Sequence, residues 1–314
     1  MARITKLPDS FYKYGEVGYW LFECLYRVYI SLRYRGSDRS VCERKYKRIY
    51  GVKPDLDKPK TLNEKLLWLK LHDRRSILTL CADKYTVRDY LSEKFGSDHL
   101  IPLFYETTDW RDITIDVLPD EPCVVKASHT SGDYRIIRDK SKVDINKLRY
   151  DCRIWLHRQF YKETQEWQYK DSTPRIIIEK LLVGKDGHIP NDYKLHYING
   201  ELQFIYCSVG RETENKRNIY DANWKPLYFT WAEPQKDTRT LRGKEIEPPK
   251  SLGEMKKYAS VIAKDFPYVR VDFYDVDGDM YFGEVTLCHG SGFDVFTPRE
   301  VDLEYGNKLI LPTK

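Results

Sequence analysis

Two carboxylates stand out in Val271-Asp272-Phe-Tyr-Asp-Val-Asp277-Gly278-Asp-Met-Tyr-Phe-Gly-Glu284-Val-Thr286, twelve residues apart on either side of an Asp-Gly pair. Asp-Gly between two apolar runs predicts a tight hairpin, because both central positions of a type I′ turn need positive φ. The turn brings Asp272 and Glu284 to one face, within about 5 Å if directly opposed and about 8 Å on the diagonal. Carboxylates that close repel unless a cation or proton lies between them, and Mg²⁺ shared with nucleotide phosphates suits the place. Two plainer readings compete: ordinary solvent-facing strand residues, or a calcium loop at Asp275-Val-Asp277-Gly-Asp279. The calcium loop lacks the full EF-hand spacing, and acidic residues with Gly are common turn chemistry. The Val, Phe and Tyr neighbours, among which an unpaired charge is costly to bury, and the Gly290-Ser-Gly292 loop that follows favour a site.

The elements that must position these residues show in the same way. Asn199-Gly200 predicts a second hairpin, and Leu252 to Phe266 a helix between the two hairpins. Upstream, Cys123 to Lys126, Arg135 to Ile137 and Arg175 to Leu182 read as strands, with a helix from Asn146 to Tyr161. Earlier still, Thr61 with Glu64 is a capping box opening a Leu-rich helix, Ala82 to Phe95 reads as a helix ending at Gly96, and Ile101 to Tyr105 as a short strand. Helices mixed with strands that turn through tight hairpins predict an α+β fold with antiparallel sheets, and not a parallel Rossmann-type sheet.

Composition sets outer bounds. At 314 residues, 41% hydrophobic and 32% charged, the chain is globular, with room for one or two cores sharing a cleft. Its seven cysteines show neither C-x-x-C pairs nor zinc spacing, which fits a reducing cytoplasm. No signal peptide or membrane-spanning run is expected. Residues 1–50 hold eleven Lys/Arg against five Asp/Glu, while the whole chain is at +5, so the remainder sits near neutrality. That asymmetry points to a local anionic contact and away from nucleic acid. Phe11, Tyr12, Tyr14, Val17, Trp20, Leu21, Leu25, Val28 and Leu32, with Lys13, Arg27, Arg33 and Arg35, read as an aromatic helix with a basic fringe. Such a helix either packs on the body or lies on anionic lipid at the inner face of the membrane through residues 11–39.

A strand Asp, a hairpin, a strand Glu-x-Asn/Asp and a small-residue loop form the metal signature of the ATP-grasp superfamily. Here it stands as Arg270-Val-Asp272, Glu284-Val-Thr286 and His289-Gly-Ser-Gly-Phe293. More narrowly, the chain resembles the TupA-like ATP-grasp family, associated with bacterial surface polysaccharides of the teichuronopeptide type. The resemblance rests on Asp57-Lys-Pro-Lys-Thr-Leu-Asn-Glu-Lys-Leu-Leu-Trp-Leu-Lys, Ala82-Asp-Lys-Tyr, Lys126-Ala-Ser-His-Thr-Ser-Gly-Asp, Pro174-Arg-Ile-Ile-Ile-Glu-Lys, Asp192-Tyr-Lys and Phe266-Pro-Tyr-Val-Arg-Val-Asp-Phe-Tyr, over residues 45–300. It implies two α+β subdomains with antiparallel sheets clasping ATP, at 120–182 and 183–314, behind a scaffold region at 49–119 and a helical N-terminal segment at 1–48.

The resemblance also implies roles. Asp272 and Glu284 would hold Mg²⁺, with Thr286 where many ATP-grasp enzymes have Asn, and Lys126 would contact the α/β-phosphates of ATP. Ser128, His129, Thr130, Ser131 and Gly132 would cover the phosphates, and the hinge Glu179, Lys180, Leu181 and Leu182 would hold adenine. Asp192 or Asp186 would reach ribose, with Asp186-Gly187 looking more like a turn, and Lys194, on the face of Asp192, would reach phosphate. Arg211 and Arg217 flank a polar loop, and their planar forks suit the γ-phosphate in the transition state, although solvated loop arginines are the plain alternative. His157 and His196 have no paired nucleophile and read as structural.

The implied reaction is carboxylate–amine ligation through an acyl phosphate, on a sugar acid or amino sugar destined for a surface glycan. A glycan kinase with a hydroxyl acceptor and a non-catalytic nucleotide- or glycan-binding assembly protein are the competing readings.

Overall fold

The computed structural model describes residues 7–210, 212, 214–233 and 242–312. In chain order the helices and strands are α1 Leu7–Tyr12, α2 Gly15–Arg33, α3 Asp38–Tyr50, α4 Leu62–His72, α5 Ser76–Ala82, α6 Val87–Phe95, β1 Leu103–Thr107, β2 Cys123–Ala127, β3 Tyr134–Ile137, α7 Ile145–Leu156, α8 Phe160–Thr164 and β4 Ile176–Lys180. There follow β5 Asp192–Ile198, β6 Glu201–Val209, β7 Lys216–Tyr220, β8 Thr230–Ala232, α9 Leu252–Ala263, β9 Tyr268–Val276, β10 Asp279–Thr286, β11 Val295–Thr297 and α10 Glu300–Lys308. This is the expected α+β pattern: every strand pair is antiparallel within its sheet, and helices precede the strands.

One compact unit gathers the chain up to Val41, Asp83–Tyr85 and Pro102–Leu181. Its four-stranded sheet has the order β1-β4-β2-β3. Cys123, Val125 and Ala127 alternate inward on β2 and meet Ile176 and Ile178 of β4, with Leu148, Cys152 and Trp155 of α7 closing that core. The N-terminal helix is divided, because Gly15, the first residue of α2, adopts φ +56. The two pieces cross closely at Gly18, where a Cβ would lie 2.0 Å from the Phe11 carbonyl oxygen. On α2, Tyr19, Phe22, Tyr26 and Ile30 are buried, so one face of this helix packs on the body as one of the two sequence readings holds.

A second unit comprises Cys42–Ala82, Thr86–Ile101 and the chain from Leu182 onward. Its five-stranded sheet runs β10-β9-β5-β6-β7, beside a small β11-β8 pair. One face is apolar: Tyr193, Leu195, Ile205, Val271, Phe273 and Phe282 pack on Met255, Ala259 and Ile262 of α9. Both expected hairpins are present, with positive φ at Asn199, Gly200, Asp277 and Gly278. The Thr61 capping box is complete, Thr61 accepting from the Glu64 amide while Glu64 accepts from the Thr61 amide. The helix expected over 82–95 starts later, at Val87, because Asp83 folds into a local turn in which its carboxylate accepts from the Tyr85 amide.

Candidate active site

Direct partners in an antiparallel ladder share a face, and three rows cross the second face of the five-stranded sheet. One row is Arg217, Ser208, Asp192 and Tyr274; the next is Ile219, Tyr206, Lys194, Asp272 and Glu284; the third is Phe204, His196, Arg270 and Thr286. Six residues singled out in the sequence, Asp192, Lys194, Arg217, Asp272, Glu284 and Thr286, therefore stand on one surface.

Glu284 gets there through a bulge. The turn pairs Val276 with Asp279, and an unbroken ladder from that pair would set Gly283 opposite Asp272. The register instead shifts between Phe282 and Glu284, making Gly283 the extra residue and Glu284 the partner of Asp272. Phe282 stays in the apolar core while Glu284, two residues on, turns to the polar face. A side chain at 283 would crowd the bulge: a Cβ would lie 3.0 Å from the Tyr274 ring and 3.2 Å from the Asp272 carbonyl oxygen.

Asp272 is buried and held on both oxygens. Its Oδ1 accepts from Arg270 Nε at 2.6 Å, and its Oδ2 from Arg270 Nη2 at 2.7 Å and Lys194 Nζ at 2.9 Å. Lys194 also pairs with Asp192. Burial alone would raise the Asp272 pKa, but Arg270 and Lys194 outweigh it and hold the carboxyl below its ordinary value. Burial would likewise lower Lys194, and Asp192 with Asp272 overcome it, so the ammonium stays charged. Arg270 continues the network: its Nη2 lies 3.5 Å from Glu284 Oε2, and its Nη1 donates to His289 Nδ1 at 3.1 Å. Because Arg270 can only donate, Nδ1 accepts and a neutral His289 carries its proton on Nε2, which lies 3.2 Å from Asp294 Oδ2.

This donor set suits a divalent cation held together with phosphate. Asp192, Asp272 and Glu284 meet Lys194 and Arg270 at its centre, with Arg217 at the β7 edge of the same face. Among the described residues Thr286 Oγ1 and Asp192 Oδ1 are buried without a protein hydrogen-bond partner, so each has room for a water or a metal ion as partner. Among the described residues no three acidic, His or Cys side chains converge closely enough to hold a metal by themselves. Mg²⁺ characteristically takes one or two carboxylates and completes its octahedron with water and substrate phosphates.

In the first unit Lys126 and Glu179 lie on the face of the four-stranded sheet opposite its core, and their side chains form an ion pair. The residues that follow turn inward. The Ser128 hydroxyl donates to Asp83 at 2.7 Å, the Thr130 hydroxyl to Asp133 at 2.6 Å, and Lys84 Nζ to the Thr130 carbonyl at 2.5 Å. His129 is buried between them, and burial pushes its imidazole down to about 4. Ser131 and Gly132 remain exposed, the latter at φ +83. Lys180 pairs with Glu121 at 2.9 Å, and the amides of Lys180 and Leu181 donate to the carbonyls of Pro102 and Pro122.

Leu182 opens the last stretch of the second unit and is buried. Asp186 sits in a tight turn, where it accepts from the His188 amide at 2.9 Å beside Gly187 at φ +78. Arg211 lies outside the described residues. His196 stacks on Phe204 and bonds Tyr268 at 3.0 Å inside the aromatic cluster under α4. Sequence reasoning named Arg270 and His289 within its motifs but gave neither a role. Arg270 was within reach, since it precedes Asp272 by two residues and strand alternation puts both on one face.

A family model described as TupA-like ATPgrasp matches residues 64–310. The chain belongs to the TupA-like ATP-grasp family. The matched span of this ATP-grasp protein includes the polar sheet face from Asp192 to Thr286 and the Lys126–Glu179 pair. No curated protein matches it in sequence. Among solved structures, the D-alanine–D-alanine ligase from Helicobacter pylori is 14% identical, covering 81% of this chain and 68% of that one, with a TM-score of 0.43. The D-alanine–D-alanine ligase from Bacillus anthracis is 18% identical over 67% of this chain, with a TM-score of 0.36, and this chain spans 59% of its length. The phosphoribosylamine–glycine ligase from Thermotoga maritima is 13% identical over 69% of this chain and 52% of that one, at 0.35.

Proposed function

We propose that the protein is a Mg²⁺- and ATP-dependent carboxylate–amine ligase acting in the cytoplasm on a sugar acid or amino sugar of a surface polysaccharide. The observation that carries this reading is the bulge that sets Glu284 opposite Asp272, beside Arg270, Lys194 and the unsatisfied Thr286 and Asp192 oxygens. Bound there with Mg²⁺, ATP would supply its γ-phosphoryl group to a carboxylate, releasing ADP, and an amine would displace phosphate from the acyl phosphate to leave an amide.

Asp272 and Glu284 would be the metal's carboxylate ligands, with the Thr286 hydroxyl as a neutral third. Arg270 positions Asp272 through two parallel hydrogen bonds and faces Glu284 as well. Its guanidinium is held charged and fixed, the kind of preorganised cation that stabilises charge on a transferring phosphoryl group. Lys194 carries charge of the same sign, and Arg217 stands at the edge of the same face. In the first unit Lys126 would take phosphate, exchanging its contact with Glu179 for one with ATP, and the hinge 179–182 would hold adenine.

The test is product analysis with Mg·ATP and a panel of sugar acids, amino sugars and amino acids, by phosphorus NMR and mass spectrometry. Ligation yields inorganic phosphate and an amide in equal amounts. A stable phosphate ester would make the protein a glycan kinase, and nucleotide binding without turnover across the panel would make it a binding module.

A further inference from the structure

The second face of α2 has no function in the reading above. Val17, Trp20, Leu21, Leu25, Val28 and Leu32 are all more than half exposed, and Cys24 lies exposed among them. At about 100° per residue these side chains span an arc of roughly 140°, with Ser31 as the one polar position inside it near Trp20, directly opposite the buried Tyr19, Phe22, Tyr26 and Ile30. The helix is thus apolar on two sides: one covered by the body, the other facing solvent. Contiguous exposed apolar strips of this kind mark contact surfaces.

We infer that this face of α2 docks the enzyme on an anionic lipid surface, with the helix lying in the headgroup plane. Three features select lipid over a second copy of the chain. A helix–helix seam is narrow and is flanked by charged positions, whereas Val17, Leu21, Cys24 and Val28, which would form such a seam, are flanked by Trp20, Leu25 and Leu32. Trp20 and Tyr29, ring types that favour the bilayer interface, border the arc on its two sides. Lys13 and Arg33 are exposed at the two ends of the segment, while along the Trp20 edge Arg27 pairs with Glu23 at 2.7 Å and Glu16 with Arg153, so the cations that complement anionic headgroups stand at the ends of the strip. No helix among the described residues is long and apolar enough to cross a membrane, which leaves lying on the surface as the mode of contact.

The inference does not depend on the ligase reading, and its test leaves nucleotide binding aside. The full chain is sedimented with phosphatidylcholine vesicles with and without phosphatidylglycerol, beside the doubly substituted Leu21→Glu/Leu25→Glu protein and Lys13→Gln/Arg33→Gln. The wild type pellets with anionic vesicles and much less with neutral ones. Leu21→Glu/Leu25→Glu loses binding about tenfold or more without a change in melting temperature, since both side chains face solvent. Each cation removed weakens binding to anionic vesicles about fivefold. Equal recovery of wild type and Leu21→Glu/Leu25→Glu overturns the inference. So does a dimer seen by ultracentrifugation that the same substitutions dissolve while vesicles bind neither protein; that result assigns the face to a second copy.

Discussion

Glu284 and Asp272 play the same part in the proposed metal site but differ in what else they hold. Glu284 is about a quarter exposed, at 26%, and makes one long contact to Arg270. Glu284→Gln should therefore lower ATP turnover by about a hundredfold or more and leave the melting temperature where it was. Asp272 is the anion shared by two buried cations. Asp272→Asn should abolish turnover and also destabilise the fold by about 3 kcal/mol, the order found when one partner of a buried ion network is removed; unfolding in urea measures it, and a variant as stable as wild type would contradict the network. His129 makes a pH prediction. Its folded value, pushed down to about 4, lies below the ordinary 6.5, so between those limits the unfolded chain binds a proton that the folded chain does not. Stability is full above pH 6.5 and falls as pH drops toward 4, with His196 and His289 shifted the same way. Between pH 7 and pH 5 His129 alone should account for about 2 kcal/mol, and His129→Gln should shrink that loss; an unchanged pH dependence would remove His129 as its source. At this scale the sequence showed the two carboxylates because their residue types were out of place among Val, Phe and Tyr. It did not show that the hydroxyls of Ser128 and Thr130 turn inward to Asp83 and Asp133, because those partners are set by packing.

The elements were the most legible level, and the reason is local chemistry. Asn199-Gly200 and Asp277-Gly278 can take positive φ cheaply, and Thr61 with Glu64 satisfies its own helix amides, so each signal needed only a few neighbouring residues. Thr61→Ala should cost about 1 kcal/mol in urea unfolding and leave turnover unchanged; a neutral effect would mean that the cap adds nothing beyond the packing of α4. The bulge at Gly283 was not legible in the same way. It was foreshadowed only by a conflict, since Phe282 and Glu284 share a face in a regular strand and one is apolar while the other is charged. Core packing of Phe282 resolves that conflict at the cost of one ladder position. Gly283→Ala should then displace Glu284 and reduce turnover more than it reduces stability, and wild-type activity in that variant would show that the bulge does not position the pair. Where sequence placed a helix start too early, a tertiary partner reinforces a local turn: the Asp83 carboxylate accepts from the Tyr85 amide on one oxygen and from Ser128, forty-five residues away, on the other.

Across the whole molecule, chain order conceals that one compact unit collects three separate stretches, with Asp83–Tyr85 contributed from between α5 and α6. Such assembly rests on long-range contacts, which periodicity does not encode. The two-sided α2 helix did carry over from sequence to surface, since exposure of Val17, Trp20, Leu21, Leu25, Val28 and Leu32 follows from there being more apolar positions than one packed face can cover. Ligand linkage connects the site to global stability: Mg·ATP at a hundred times its dissociation constant should add about 2.7 kcal/mol of stability, read as a raised melting temperature that Lys126→Ala diminishes. The most direct test of the central claim, that the Asp272–Glu284 pair holds a metal on which ATP binds, is calorimetric titration of ATP with and without Mg²⁺ into wild type and Glu284→Gln. The account predicts binding by wild type that strengthens with Mg²⁺, and a variant in which Mg²⁺ no longer strengthens it. Absence of binding at millimolar Mg·ATP, or equal strengthening by Mg²⁺ in both proteins, would contradict it.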